Sequence, residues 1–222
     1  MQNTPIAQNA ETASLDIPAF EAAALQSQPF DHVVVPNFVP ATARAPILRD
    51  FPKMDQGGSF PAESLGFGAA CAALLEALQG PDLREAMAAK FDVDLGGRPS
   101  MMTFRGHSRA KDGRIHRDSS SKILTALIYL NETWEAKTGR LRLLRGPDDM
   151  EDYVIEVPPD QGTLIAFRCT ENAYHGYKPF IGERRSLQLN WVTSEAVKKR
   201  ELSRHSFSAF VKSLSPFGDR GD

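Results

Sequence analysis

The stretch HRDSSSKILTALIYLN sets His116 two residues before Asp118, in a chain with only five histidines. On an extended backbone, residues i and i+2 point to the same side and lie about 6.5 to 7 Å apart, so this imidazole and carboxylate can serve one ion. An ion needs at least a third ligand. Of the other histidines, His32 opens a strand-like run, His107 lies in a basic stretch and His205 falls on an amphipathic tail. That leaves His175, which follows the apolar run GTLIAF after a short turn, where an antiparallel neighbour could bring it beside His116. Two neutral imidazoles and one carboxylate with open coordination positions form the facial triad that suits non-haem Fe(II). A catalytic zinc accepts a similar set, so the donors alone leave the metal open.

The elements that must position these residues follow from periodicity and punctuation. DHVVVPNFVP predicts a first strand at residues 32–35, closed by Pro36. LGFGAACAALLEAL (65–78) and DLREAMAAKF (82–91) carry apolar residues at helical spacing, with Gly80-Pro81 between them. After Gly96-Gly97 the character changes to short β-rich runs: SMMTF, SKILTALIYL, RLRLL, DYVIEV, GTLIAF and RRSLQLNWV. Turn signals such as KDG, KTG, GPDD, PPDQG and IGE separate them. RLRLL and RRSLQLNWV alternate as half-buried strands do, whereas ILTALIYL and TLIAF are continuously apolar and expected to be covered on both sides. Such a series predicts a closed sandwich or jelly roll. Thr193-Ser194 can cap a tail helix carrying Val197, Phe207, Phe210, Val211 and Leu214 on one side, before Pro216 and Gly218 stop it.

The expected organisation is one domain in four parts. Residues 1–28 form a loosely ordered arm with one short helix around EAAALQ, and 29–98 a strand and helices packing on the core. Residues 99–192 are the β core, and 193–222 a helix and tail. A formal net charge of -2 and 24% charged residues argue against bulk attraction to nucleic acid or a membrane. Cys71 and Cys169 lack metal or disulfide spacing and fit a reducing compartment. No apolar run approaches the ~18 residues of a membrane span, and the N-terminus lacks a signal-peptide pattern, so the expected location is the cytoplasm.

The stretch HGYKPFIGERRSLQLNWV adds a further pattern: ten residues after His175 comes Arg185, at the start of an alternating strand. Together with HRD and the YLN-x-x-W run that contains Tyr129, it resembles the Fe(II)- and 2-oxoglutarate-dependent oxygenases, most closely their prolyl-4-hydroxylase-like branch. The resemblance covers residues 101–192, and DHVVVPNF matches the usual first strand. It implies a double-stranded β-helix, or jelly roll, with flanking helices, mainly β overall. It also implies His116, Asp118 and His175 as iron ligands, and Arg185 with Tyr129 as the pair binding the far carboxylate of 2-oxoglutarate. The implied activity is hydroxylation of a C–H bond, of a prolyl or other protein residue or of a small molecule, with release of succinate and CO2 and with ascorbate as an optional reductant.

Two departures from the family pattern stand out. The usual GGxL turn is Thr138-Gly139-Arg140-Leu141, and Phe104 stands where the oxygen-sensing enzymes carry a tyrosine. Counting back six from Trp191 selects Arg185, whereas an Arg-x-Ser pattern from another branch would select Arg184 and Ser186. Only one of the two arginines can face inward. FRGHSRAKDGR places Arg105, Arg109, Lys111 and Arg114 in a stretch leading to the HxD, expected to be a loop that either draws an anionic substrate or is simply solvated and mobile. Beside the oxygenase stand a non-catalytic metal-binding or 2-oxoglutarate-sensing protein on the same fold, and a zinc hydrolase with the same three ligands.

Overall fold

Alternation along the central strands sorts their side chains onto two faces, and the two faces are covered by different things. The computed structural model describes residues 15–213. Its nine strands are β1 (His32–Val35), β2 (Phe60–Pro61), β3 (Ser100–Ser108), β4 (Lys122–Tyr129), β5 (Leu141–Leu144), β6 (Tyr153–Val157), β7 (Leu164–Arg168), β8 (His175–Gly176) and β9 (Gly182–Val192). Six form an antiparallel sheet in the order β1-β7-β4-β9-β3-β2, and three a smaller sheet in the order β6-β5-β8. These are the two leaves of a jelly roll. They do not close into one barrel, so the expectation of a closed sandwich is corrected.

Five helices accompany them: α1 (Ile17–Ala22), α2 (Ala41–Asp50), α3 (Ala69–Gln79), α4 (Pro81–Phe91) and α5 (Glu195–Ser213). One face of the large sheet, with Leu124, Ala126 and Ile128 of β4 and Leu187, Leu189 and Trp191 of β9, shares a core with Phe20 of α1, Ile47 of α2, Leu74 of α3 and Met87 of α4. The other face meets the small sheet around Tyr129, Leu141, Leu143, Ile165 and Phe167. The continuous apolar runs of β4 and β7 are thereby explained, because both strands lie inside the sheet and are covered twice.

Several expected elements differ. The short N-terminal helix begins at Ile17, where the Asp16 side chain accepts a hydrogen bond from the Ala19 amide at 2.9 Å, rather than around EAAALQ. Helix α2 was not expected; it contains Pro46 and buries only Ile47, so its sequence carries little amphipathic signal. Arg105 is on β3 rather than in a loop, and Gly113 is pinned rather than free: at φ +87°, a Cβ there would come within 2.5 Å of Tyr177. The arm before residue 15, and the side chains of Phe207, Phe210, Val211 and the residues after them, lie outside the described ones. Among the described residues no helix is long and apolar enough to cross a membrane.

Candidate metal and dicarboxylate site

His116 and His175 are joined before any metal is considered. Their backbones exchange hydrogen bonds, His116 N to His175 O at 3.0 Å and His175 N to His116 O at 2.9 Å, and the ring centroids stand 4.3 Å apart. Since His175 in β8 also pairs with Leu143 of β5, the small sheet extends outward to the His116 segment. That segment makes a single bridge rather than a strand. Potential ligand atoms of His116, Asp118 and His175 all lie within 4.8 Å of one another.

The three side chains are set up as donors. Nδ1 of His116 faces the Arg114 carbonyl, and Nδ1 of His175 the Ala173 carbonyl, each at 2.9 Å. A neutral imidazole that donates from Nδ1 keeps its Nε2 lone pair for a metal. Burial, reinforced by the neighbouring His116, pushes the His175 pKa down to about 4, so this ring is neutral at pH 7. Burial alone would raise the Asp118 pKa, but the charge of Lys122, that of His175 once this ring is protonated at low pH, and hydrogen bonds from Thr125 and Lys122 hold it well below the usual carboxylate range. Lys122 Nζ donates to Oδ1 at 2.9 Å, and the Thr125 hydroxyl makes a short hydrogen bond to Oδ2. Asn190 fixes that hydroxyl in turn, donating from Nδ2 to Thr125 Oγ1 at 2.7 Å. A carboxylate has about four lone-pair sites, so these bonds leave capacity for an ion. The donor set therefore fits a divalent cation.

A cavity of about 740 Å³ opens over these residues between the two sheets. The cavity face of β9 carries Arg184, Ser186, Gln188 and Asn190, with Tyr129 of β4 opposite Ser186. Arg184, not Arg185, enters the cavity. It is only 4% exposed, donates from Nε to the Gly139 carbonyl at 2.8 Å, and has its guanidinium carbon 5.2 Å from the Tyr129 ring centroid and 4.2 Å from that of Tyr177. Its Nη2 is 3.5 Å from the Tyr129 hydroxyl. Arg185 points away and pairs with Glu183 at 2.6 Å. The count from Trp191 selects Arg185, but Trp191 belongs to the helix-facing side of β9, and so does Arg185 six residues back, which leaves Arg184 on the cavity side.

Arg184 has no carboxylate partner among the described residues. A guanidinium this deeply buried is expensive without an anion, and its planar fork is matched to a carboxylate. Burial also pushes the Tyr129 hydroxyl pKa up despite the neighbouring Arg184, so the phenol remains protonated and able to donate. Phe104 does not take the place of the missing tyrosine. It lies on the helix side of β3, stacked on Phe67 with centroids 5.7 Å apart. Thr103 and Arg105, on either side of it, line the cavity instead. Lys122, Thr125, Asn190 and Tyr177 were not singled out from the sequence. Period-2 alternation from Tyr129 back to Thr125, on the same strand face, would have found Thr125.

Residues 103–193 match the family model described as the 2OG-Fe(II) oxygenase superfamily. Among solved structures, a prolyl-4-hydroxylase from Pseudomonas putida is similar with a TM-score of 0.50 and 21% identity, over 80% of this chain and 93% of that one. A prolyl 4-hydroxylase from Phytophthora capsici gives a TM-score of 0.53 at 15% identity, over 88% and 69%. A 2OG-Fe(II) oxygenase family oxidoreductase from Burkholderia pseudomallei gives 0.50 at 14%, over 79% and 89%. At these identities the structural likeness is one of fold. No curated protein matches the sequence.

Proposed function

We propose that this chain, whose residues 103–193 match the model of the 2OG-Fe(II) oxygenase superfamily, is a dioxygenase that hydroxylates a C–H bond of its substrate while converting 2-oxoglutarate to succinate and CO2. Fe(II) would be held by His116, Asp118 and His175. Bound there with 2-oxoglutarate and O2, it supplies the oxidising chemistry.

The chain's own groups do the rest. Arg184 meets the 5-carboxylate of 2-oxoglutarate through its fork, and Tyr129 adds a hydroxyl donor beside it, replacing the Arg185–Tyr129 pair expected from the sequence. Lys122 and Thr125 keep Asp118 ionised and oriented. The Arg114 and Ala173 carbonyls hold the two imidazoles in the ligand tautomer. The observation that carries this reading is the juxtaposition of a buried arginine lacking a counter-ion with a three-donor metal site in one cavity. A hydrolase has no need of that arginine.

Anaerobic reconstitution with Fe(II), followed by 2-oxoglutarate, tests the reading. The expected result is the visible charge-transfer band of a keto acid chelated to iron, absent from Asp118→Ala. Protein that takes up Fe(II) but gives no band at saturating 2-oxoglutarate contradicts the proposal.

A further inference from the structure

We propose that the same cavity binds a second anion at Arg105, so that the substrate is a small molecule bearing a carboxylate or phosphate group. This rests on the co-substrate reading above, which assigns Arg184 to 2-oxoglutarate.

Tyr129 of β4, Ser186 of β9 and Arg105 of β3 form one row across three strands, since Ser186 is the paired residue of both the others. Arg105 is thus on the cavity face, half-buried, and its side chain makes no hydrogen bond or close ion pair with a described residue, although its charge reaches the Asp112 carboxylate that Arg109 binds. The acids that line the cavity are engaged elsewhere. Asp112 is bound by Arg109 at 2.9 Å, Asp118 by Lys122 at 2.9 Å, and Glu201 lies 3.5 Å from both Arg200 and Arg204.

Occupation by the co-substrate does not change this balance for Arg105. One carboxylate of 2-oxoglutarate meets Arg184 and the other end lies at the metal, which leaves Arg105 unanswered. A partly desolvated guanidinium whose carboxylate neighbour, Asp112, is already bound by another arginine favours an oxyanion that presents two acceptor atoms. The surrounding field has the same sign: seven of the residues lining the cavity are Lys or Arg and three are Asp or Glu. Arg114 and Arg117, both exposed, add to it at the rim and would steer an anion inward.

Size and polarity point to a small molecule. Ligand cavities span roughly 300 to 1,000 Å³, so about 740 Å³ leaves room for a second compound beside a five-carbon diacid. Only Leu127 and Leu141 supply aliphatic lining, whereas Thr103, Gln188 and Asn190 offer hydrogen bonds. Recognition here is by charge and hydrogen bonding.

The test uses protein loaded with Mn(II) and saturated with 2-oxoglutarate, titrated calorimetrically at fixed ionic strength with acetate, methyl phosphate and neutral acetamide. Saturable binding of either anion and none of acetamide is expected, weakened about tenfold or more in Arg105→Gln and unchanged in Arg49→Gln. The tighter of the two anions identifies the group the substrate carries. Arg105→Met, which keeps the stem packed, serves as a second variant should the glutamine form not fold. Affinity for 2-oxoglutarate itself should stay within about twofold in Arg105→Gln but fall at least thirtyfold or so in Arg184→Gln.

The proposal is overturned by three results: no saturable anion binding, binding indifferent to Arg105, or loss of 2-oxoglutarate affinity in Arg105→Gln as large as in Arg184→Gln. If wild-type protein does not bind 2-oxoglutarate, the co-substrate reading fails and the anion site falls with it. That outcome is read in a separate titration.

Discussion

Along β9, Arg184, Ser186, Gln188 and Asn190 line the cavity, whereas Leu187, Leu189 and Trp191 pack beneath the helices. The strand is single, with one register shift against β3 between Ser186 and Glu183, yet its two sides do opposite things. On the helix side Leu187, Leu189 and Trp191 lose water and gain apolar neighbours, which stabilises the fold and fixes the register against β3 and β4. On the cavity side a buried guanidinium is held by one carbonyl oxygen and two aromatic rings without a carboxylate, which costs stability until a ligand arrives. The contrast separates residues that build the site from residues that use it, although they are neighbours in sequence.

Substitutions on the two sides should therefore fail in different assays. The largest effect is expected from Trp191→Ala, which leaves a cavity under the helices and should cost about 3 to 5 kcal/mol of stability, measured by denaturant unfolding. The affinity of the remaining folded molecules for 2-oxoglutarate should be close to wild type. Arg184→Gln should do the reverse, losing about 2 to 4 kcal/mol of 2-oxoglutarate binding without lowering the thermal midpoint of the ligand-free protein. A destabilised ligand-free Arg184→Gln would show that the guanidinium serves packing instead.

Thr125→Val probes the same division on β4, whose cavity side carries Thr125 next to the helix-facing Leu124. The change removes the hydroxyl that orients Asp118, and metal affinity should fall about 10- to 100-fold, read by competition with a chromophoric chelator. Unchanged metal binding would mean that Lys122 alone suffices to place the carboxylate. The smallest effect belongs to Arg185→Gln. It removes a partly exposed pair with Glu183, and both stability and 2-oxoglutarate affinity should move by less than about 0.5 kcal/mol.

The period-2 rule made most of this legible from the sequence, but it could not tell what covers each side: β5, whose RLRLL run alternates like a half-buried strand, has all four residues buried. The strands at residues 32–35, 122–129 and 164–168 could be read because β-branched and apolar runs are bounded by turn residues, and α3 and α4 because Gly80-Pro81 divides them. His116, Asp118 and His175 were legible as a set because histidines are few, and the structure brings the three together. The choice between Arg184 and Arg185 needed to know which side of β9 faces the helices. No local pattern tells that, since Trp191 is a large apolar residue that either side could bury. Arg105 and Lys122 were obscured for a related reason: their roles depend on what stands opposite in another strand or segment. Helix α2, with a proline inside and one buried side chain, lacks the stripe that would have revealed it.

The most direct test of the account is the affinity for 2-oxoglutarate of Arg184→Gln and Arg185→Gln, measured side by side by calorimetry on Mn(II)-loaded protein. Wild-type binding is expected in Arg185→Gln and a loss of at least about thirtyfold in Arg184→Gln. Equal losses in the two variants, or a loss confined to Arg185→Gln, would contradict it.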